Sequence, residues 1–119
     1  MPRQDPSSQL LKGALPMLVL GILADDERYG YEIAQALATR SDGLVAPSEG
    51  SLYPTLHRLE AEGAVAAVWR ESDRGPRRRY YRITETGLRR LVEQRATWDR
   101  FAHAVEALAP RPVRTEGAR

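Results

Sequence analysis

SEGSLYPTLHRLEAEGAVAAVWRESDRGPRRRYYRIT, residues 48 to 84, changes its hydrophobic period halfway along. Up to Gly63 the apolar residues Leu52, Leu56 and Leu59 follow i, i+4, i+7, which is one buried stripe of a helix. Beyond it Val65, Ala67 and Trp69 share one face of a strand, and Tyr81 and Ile83 can face the same way on a second. Between the two runs, SDRGPR carries the Asp, Gly and Pro chemistry of a hairpin loop longer than two residues. The stretch therefore predicts a helix ended by Gly63 and a hairpin behind it. Ser48, Ser51, Thr55, Arg58 and Glu62 form the polar stripe of that helix, expected to lie outward. Pro54 leaves two options: a late start with Ser51 as N-cap, or a kink tolerated near the helix's beginning.

Charge singles out the hairpin. The chain carries 18 Lys+Arg against 16 Asp+Glu, a net charge of +2. Residues 70 to 90 hold eight arginines against three acids, so this window is +5 and the remainder −3. A positive face on a nearly neutral body favours a polyanionic partner. Tyr80 and Tyr81 alternate in direction, and Tyr81, beside Ile83, is expected to point inward.

Working outward toward the N-terminus, YGYEIAQALATR predicts a helix entered at Gly30, with Ile33, Ala34 and Leu37 inward and Glu32 opposing the dipole in the first turn. Gly43 is its expected stop. GALPMLVLGILA predicts a buried helix from Ala14 to Ala24, with Pro16 in its first turn and Leu15, Leu18, Val19, Ile22 and Leu23 packed. Toward the C-terminus, Thr84 is the expected N-cap of a helix from Glu85 to Leu108. At 1.5 Å per residue its roughly 24 residues reach about 36 Å, farther than three short helices and a hairpin can cover. Its apolar stripe runs the whole length, so the distal half needs a second chain, and a homodimer is expected. The dimerisation residues would be Leu91, Trp98, Phe101, Ala102, Val105 and Leu108.

Composition excludes several function classes. At 119 residues there is room for one domain with one modest core. No cysteine is present, which removes disulfides, thiolate metal sites and a cysteine nucleophile. The apolar run 13 to 24 is too short to span a bilayer and lacks a signal-peptide cleavage pattern. His57 and His103 lie on separate helices, and no paired carboxylates or phosphate-cradling glycine loop accompany them. No enzyme, metal site or cofactor is expected, and His103 reads as a surface histidine.

The expected architecture is mostly α with a small β-hairpin: a winged helix-turn-helix plus a long C-terminal dimerisation helix. Its parts are a disordered arm over 1–9, a DNA-binding domain over 10–84, the dimerisation helix over 85–108 and a disordered tail over 109–119. Short polar side chains near the start of the second helix of a helix-turn-helix approach base edges, and a basic hairpin beside it grips phosphates. Ser48, Ser51, Tyr53, Thr55 and Arg58, with Arg77, Arg78 and Arg79 of the hairpin, are the candidate DNA contacts. Tyr53 either donates to a phosphate or covers the edge of the core.

YGYEIAQAL (29 to 37), SEGSLYPTLHRLEAEG (48 to 63) and RRRYYRITETG (77 to 87) together resemble three successive signatures of the PadR family of transcriptional regulators, over about residues 10 to 108. The resemblance implies a cytoplasmic homodimer, mostly repressing, that binds a pseudo-palindromic double-stranded DNA operator and releases it on a small-molecule signal. It also implies, as in some short members, an apolar pore between the two C-terminal helices where a planar aromatic effector stacks on a tryptophan. Trp98 matches that position, with Phe101 beside it, and the alternative for Trp98 is packing in the dimer core. Glu49 stands where the family often has proline, reading a cytosine amine or opposing the dipole. His57 stands where the family commonly has Lys or Arg. The alternative function is a winged-helix protein-interaction module without operator specificity, its arginines meeting an acidic partner.

Overall fold

The computed structural model describes residues 6–73 and 75–113. The order is α1 (Pro6–Asp25), β1 (Arg28–Tyr29), α2 (Gly30–Arg40), α3 (Glu49–Ala61), β2 (Val65–Arg70), β3 (Arg78–Ile83) and α4 (Glu85–Leu108). Helices α2 and α3 form the helix-turn-helix, and β2 and β3 the wing.

Helix α1 starts at Pro6, eight residues before the expected start at Ala14. Two prolines compete for the first-turn position, and Pro6 takes it because its missing N–H has no partner to lose there. Pro16 is therefore a helix-interior residue, and the helix forgoes one hydrogen bond at Lys12. Residues 6 to 9 of the expected disordered arm belong to α1, while residues 1–5 lie outside the described residues. Residues 109 to 113 carry no helix or strand, and 114–119 lie outside the described residues.

Burial explains the rest of α1. Val19 and Leu20 are wholly enclosed, with Leu15, Ile22 and Leu23 close to it. They meet Ile33 and Leu37 of α2, Leu52, Leu56 and Leu59 of α3, and Tyr81 of the wing. No buried polar or charged side chain occurs among the described residues. The core is held by apolar burial, at about 25 cal/mol per Å².

Helix α3 begins at Glu49 after Ser48, and Pro54 sits at its sixth position, so the late start with Ser51 as N-cap does not occur. Ser48 accepts the first helical bonds from the N–H groups of Ser51 and Leu52 at 3.0 and 2.9 Å. Pro54 would have bonded back to Gly50, close enough to the helix start that the loss is confined to its first turns.

The sheet has three antiparallel strands, in the order β1-β3-β2. Val65, Ala67 and Trp69 stand opposite Ile83, Tyr81 and Arg79, which is the shared face expected from the alternation. Strand β1 is the addition: Arg28 and Tyr29 pair with Tyr81 and Tyr80. At two residues it is too short to show a period.

Thr84 is the joint between wing and α4. Its hydroxyl accepts from the Gly87 N–H at 3.1 Å and donates to the Gly63 carbonyl at 2.6 Å. Its own N–H reaches the Ala64 carbonyl at 3.0 Å. Gly87 is buried there, and a Cβ on it would run into the Ala64 carbonyl oxygen. The direction in which α4 leaves the body is thereby set at its first turn.

Candidate nucleic-acid interface

Helix α3 presents its leucines to the core, so at 100° per residue the residues farthest from the core are Gly50, Pro54, His57 and Ala61. All four are exposed. Three of these have little or no side chain, which leaves His57 as the prominent side chain on the crest. Ser51 and Arg58 lie on one flank and Tyr53 on the other, all exposed. Ser48 is exposed and its hydroxyl donates to Ser51 Oγ at 3.3 Å. Thr55 is only half-exposed, and its hydroxyl donates back to the Ser51 carbonyl at 2.9 Å, a local bond that turns it toward its own helix. Arg58 reaches Glu62 loosely at 4.0 Å, since Glu62 is held by Arg90 of α4 at 2.5 Å.

Tyr53 is seated by a glycine. Its ring lies against Gly30 so closely that a Cβ there would come within 2.9 Å of two ring carbons. The hydroxyl end of the ring lies nearest to Gly30, so Tyr53 covers the first turn of α2 while the residue as a whole stays 37% exposed. Glu32 accepts the Tyr29 N–H at 3.3 Å, fixing that same turn.

The wing separates its arginines by role. Arg79 donates to Glu60 at 2.7 Å and lies over the Tyr81 ring at 5.7 Å, with its side chain two-thirds buried. It braces the wing on α3. Arg78 lies over the Tyr29 ring at 4.5 Å and Arg77 over Trp69 at 5.8 Å, and neither pairs with a carboxylate among the described residues. Arg70 bridges to Glu27 and covers Tyr80 at 5.3 Å. Arg74 lies outside the described residues.

Tyr81 points inward as expected, 2% exposed, and burial raises its pKa while the Arg79 charge opposes the rise. Tyr80 packs edge-on against Tyr29 at 5.4 Å. Trp69 stands on the same face of the sheet as Tyr81 but remains 55% exposed, because the core ends at Ala67. Sequence reasoning treated it as strand packing. The available signal was the arginine run directly across the hairpin.

Between α3 and the wing lies a cleft of about 270 Å³, lined by Tyr53, His57, Trp69, Arg78, Arg79 and Tyr81 together with Tyr29 and Gly30. Its lining combines two arginines and a histidine with the aromatic faces of three tyrosines and a tryptophan. His57 was passed over in the sequence as a departure from a basic position, and here it joins the crest to this cleft.

The expected dimerisation residues fall into two groups. Leu91 is partly buried on its own chain's core. Trp98, Phe101, Val105 and Leu108 are 40%, 57%, 40% and 84% exposed, and Ala102 is exposed with them. The Trp98 and Phe101 rings lie 6.0 Å apart. A second, larger cavity of about 710 Å³ runs between α1, the end of α2 and α4, among them Leu18, Ile22, Leu37, Val45, Leu91 and Val92. Arg95, Ala96 and Asp99 also line it, whereas Trp98 and Phe101, on the same helix, do not. His103 is exposed on α4.

No group of three or more metal-ligating side chains occurs among the described residues. No helix among them is long and apolar enough to cross a membrane.

The family model described as the transcriptional regulator PadR-like family matches residues 19–93. The transcriptional regulator Rv3488 of Mycobacterium tuberculosis is 39% identical over 94 residues, covering 79% of this chain and 84% of that one. A PadR-like transcriptional regulator of Bacillus cereus superposes with a TM-score of 0.75 at 36% identity, over 87% of this chain and 99% of that one. A PadR family regulator of Eggerthella lenta gives 0.77 at 35% identity, over 87% and 88%.

Proposed function

This chain belongs to the PadR-like family of transcriptional regulators, and we propose that it is a homodimeric repressor that releases a pseudo-palindromic operator on binding a small planar aromatic effector. Members of the family are DNA-binding regulators, typically dimeric, and not enzymes. The observation that carries the reading is the division between α3 and the wing. One presents a crest of small side chains flanked by Ser51 and Arg58, and the other presents Arg77 and Arg78 with no carboxylate among the described residues to neutralise them. Close approach by the helix reads base edges, and the arginines hold phosphates.

The dimer rests on α4. Trp98, Phe101, Val105 and Leu108 are exposed in one chain, and a second copy is the occupant that buries them. The effector would enter where the two copies meet, beside the apolar cavity lined in part by Ala96 and Asp99. Binding there changes the angle between the α4 helices, and with it the spacing of the two α3 helices against half-sites about 34 Å apart. Repression and work in the cytoplasm complete the reading.

The test is fluorescence anisotropy on the chain's own promoter duplex against a scrambled one, titrated with salt and then with aromatic compounds. Preference for the promoter, steep salt dependence and release by an effector in the wild type but not in Trp98→Ala support the reading. Equal, salt-insensitive binding to both duplexes removes it and favours an acidic protein partner for the wing.

A further inference from the structure

The cleft between α3 and the wing holds one histidine. His57 lies on the crest of α3 and lines the cleft together with Arg78 of the wing and with Tyr53, one helical turn before it. The other charged and titratable groups around it are accounted for. Arg79 is neutralised by Glu60 at 2.7 Å, Tyr81 is buried, Tyr29 lies beneath Arg78, and Arg58 leans toward Glu62. Among the described residues, no carboxylate lines the cleft. An anion seated there would meet Arg78, a hydroxyl and an imidazole.

We propose that His57, Tyr53 and Arg78 form a proton-coupled phosphate seat, so that binding of a DNA strand takes up a proton at His57. The proposal rests on the DNA-binding reading above and adds a pH response to it. An imidazolium donates a charge-assisted hydrogen bond to a phosphate oxygen, whereas neutral imidazole offers at most one uncharged donor. Histidine ordinarily titrates near 6.5, so the gain lies within the physiological range. The sign follows: affinity is highest below about pH 6 and falls as pH rises through the histidine range. Because phosphates carry no sequence, the response is the same on any duplex.

The experiment measures affinity for the promoter duplex and for a scrambled duplex at low salt, between about pH 5.5 and pH 8. Wild-type protein is expected to bind both about three- to tenfold more tightly per chain at the acidic end. His57→Gln is expected to bind with the weaker, alkaline-limit affinity throughout, and His57→Arg with high affinity throughout. Melting temperatures of the free proteins over the same range show that the variants remain folded. A wild-type affinity that is flat with pH overturns the seat while leaving DNA binding intact. So does a slope that persists in His57→Gln, or one confined to the promoter duplex, which would make His57 a base contact. Absence of duplex binding at every pH overturns the proposal together with the reading beneath it.

Discussion

Arg79 holds Glu60 at 2.7 Å and covers Tyr81, whereas Arg78, one residue earlier, meets a tyrosine ring and no described carboxylate. Neighbours in a strand point to opposite faces, so a run of three arginines was bound to divide. In the sequence they read as one set of phosphate contacts; alternation sets Arg78 apart from Arg79, but the partner that holds Arg79 lies 19 positions away at Glu60. Replacing Arg79 with Ala should lower stability by about 0.5–1 kcal/mol, the range for a partly buried charged pair, and should be read as a fall in melting temperature. Asp25 offers a pH-dependent case. The hydrogen bonds from Arg28 and Arg40, each at 3.0 Å, hold its carboxyl below the usual 3.8. A depressed pKa contributes stability above the unfolded value and loses it as pH falls. Asp25→Asn should therefore melt below wild type at neutral pH, with the gap closing as both are acidified below the usual 3.8.

Helix α4 was legible from Thr84 to Leu108 because cap and stripe agree, and the structure returns the same bounds. Helix α1 was not, since a proline at position 16 competes with one at position 6 for the same role, and enclosure of Val19 and Leu20 outweighs the lost hydrogen bond. Strand β1 was invisible for a different reason: its two residues gain their strand geometry only by pairing with Tyr80 and Tyr81. The crest of α3 was misjudged by the sequence's polar stripe, which favoured Ser48 and Thr55 over the small residues that stand farthest out. At this scale the decisive joint is Thr84 with Gly87. Thr84→Ala should cost about 1–2 kcal/mol through loss of the cap. Gly87→Ala should cost at least as much, because the added methyl meets the Ala64 carbonyl and the helix must shift. Thermal or urea melts check both, and an unchanged midpoint for Gly87→Ala would mean that α4 can move away from the body at little cost.

One chain has a radius of gyration of 17.7 Å and a longest dimension of 64 Å. A compact domain of this length would have a radius of about 13.5 Å. The distal half of α4 carries Trp98, Phe101, Val105 and Leu108 to the surface. Phe101→Glu places a charge in that stripe and should convert a dimer to monomer in sedimentation, with promoter affinity falling by well over tenfold as the two half-sites lose their linkage. A Phe101→Glu protein that remains dimeric would move the interface elsewhere.

The proposed function divides the labour of binding between a helix that selects and a wing that grips. Its most direct measurement is the salt dependence of promoter binding by wild type and by the double variant Arg77→Ala, Arg78→Ala. The log-log slope should become shallower by about 0.9 for each phosphate contact removed, while preference for promoter over scrambled duplex persists. Preference lost with the slope unchanged would contradict it, because the arginines would then be reading sequence and the helix would not.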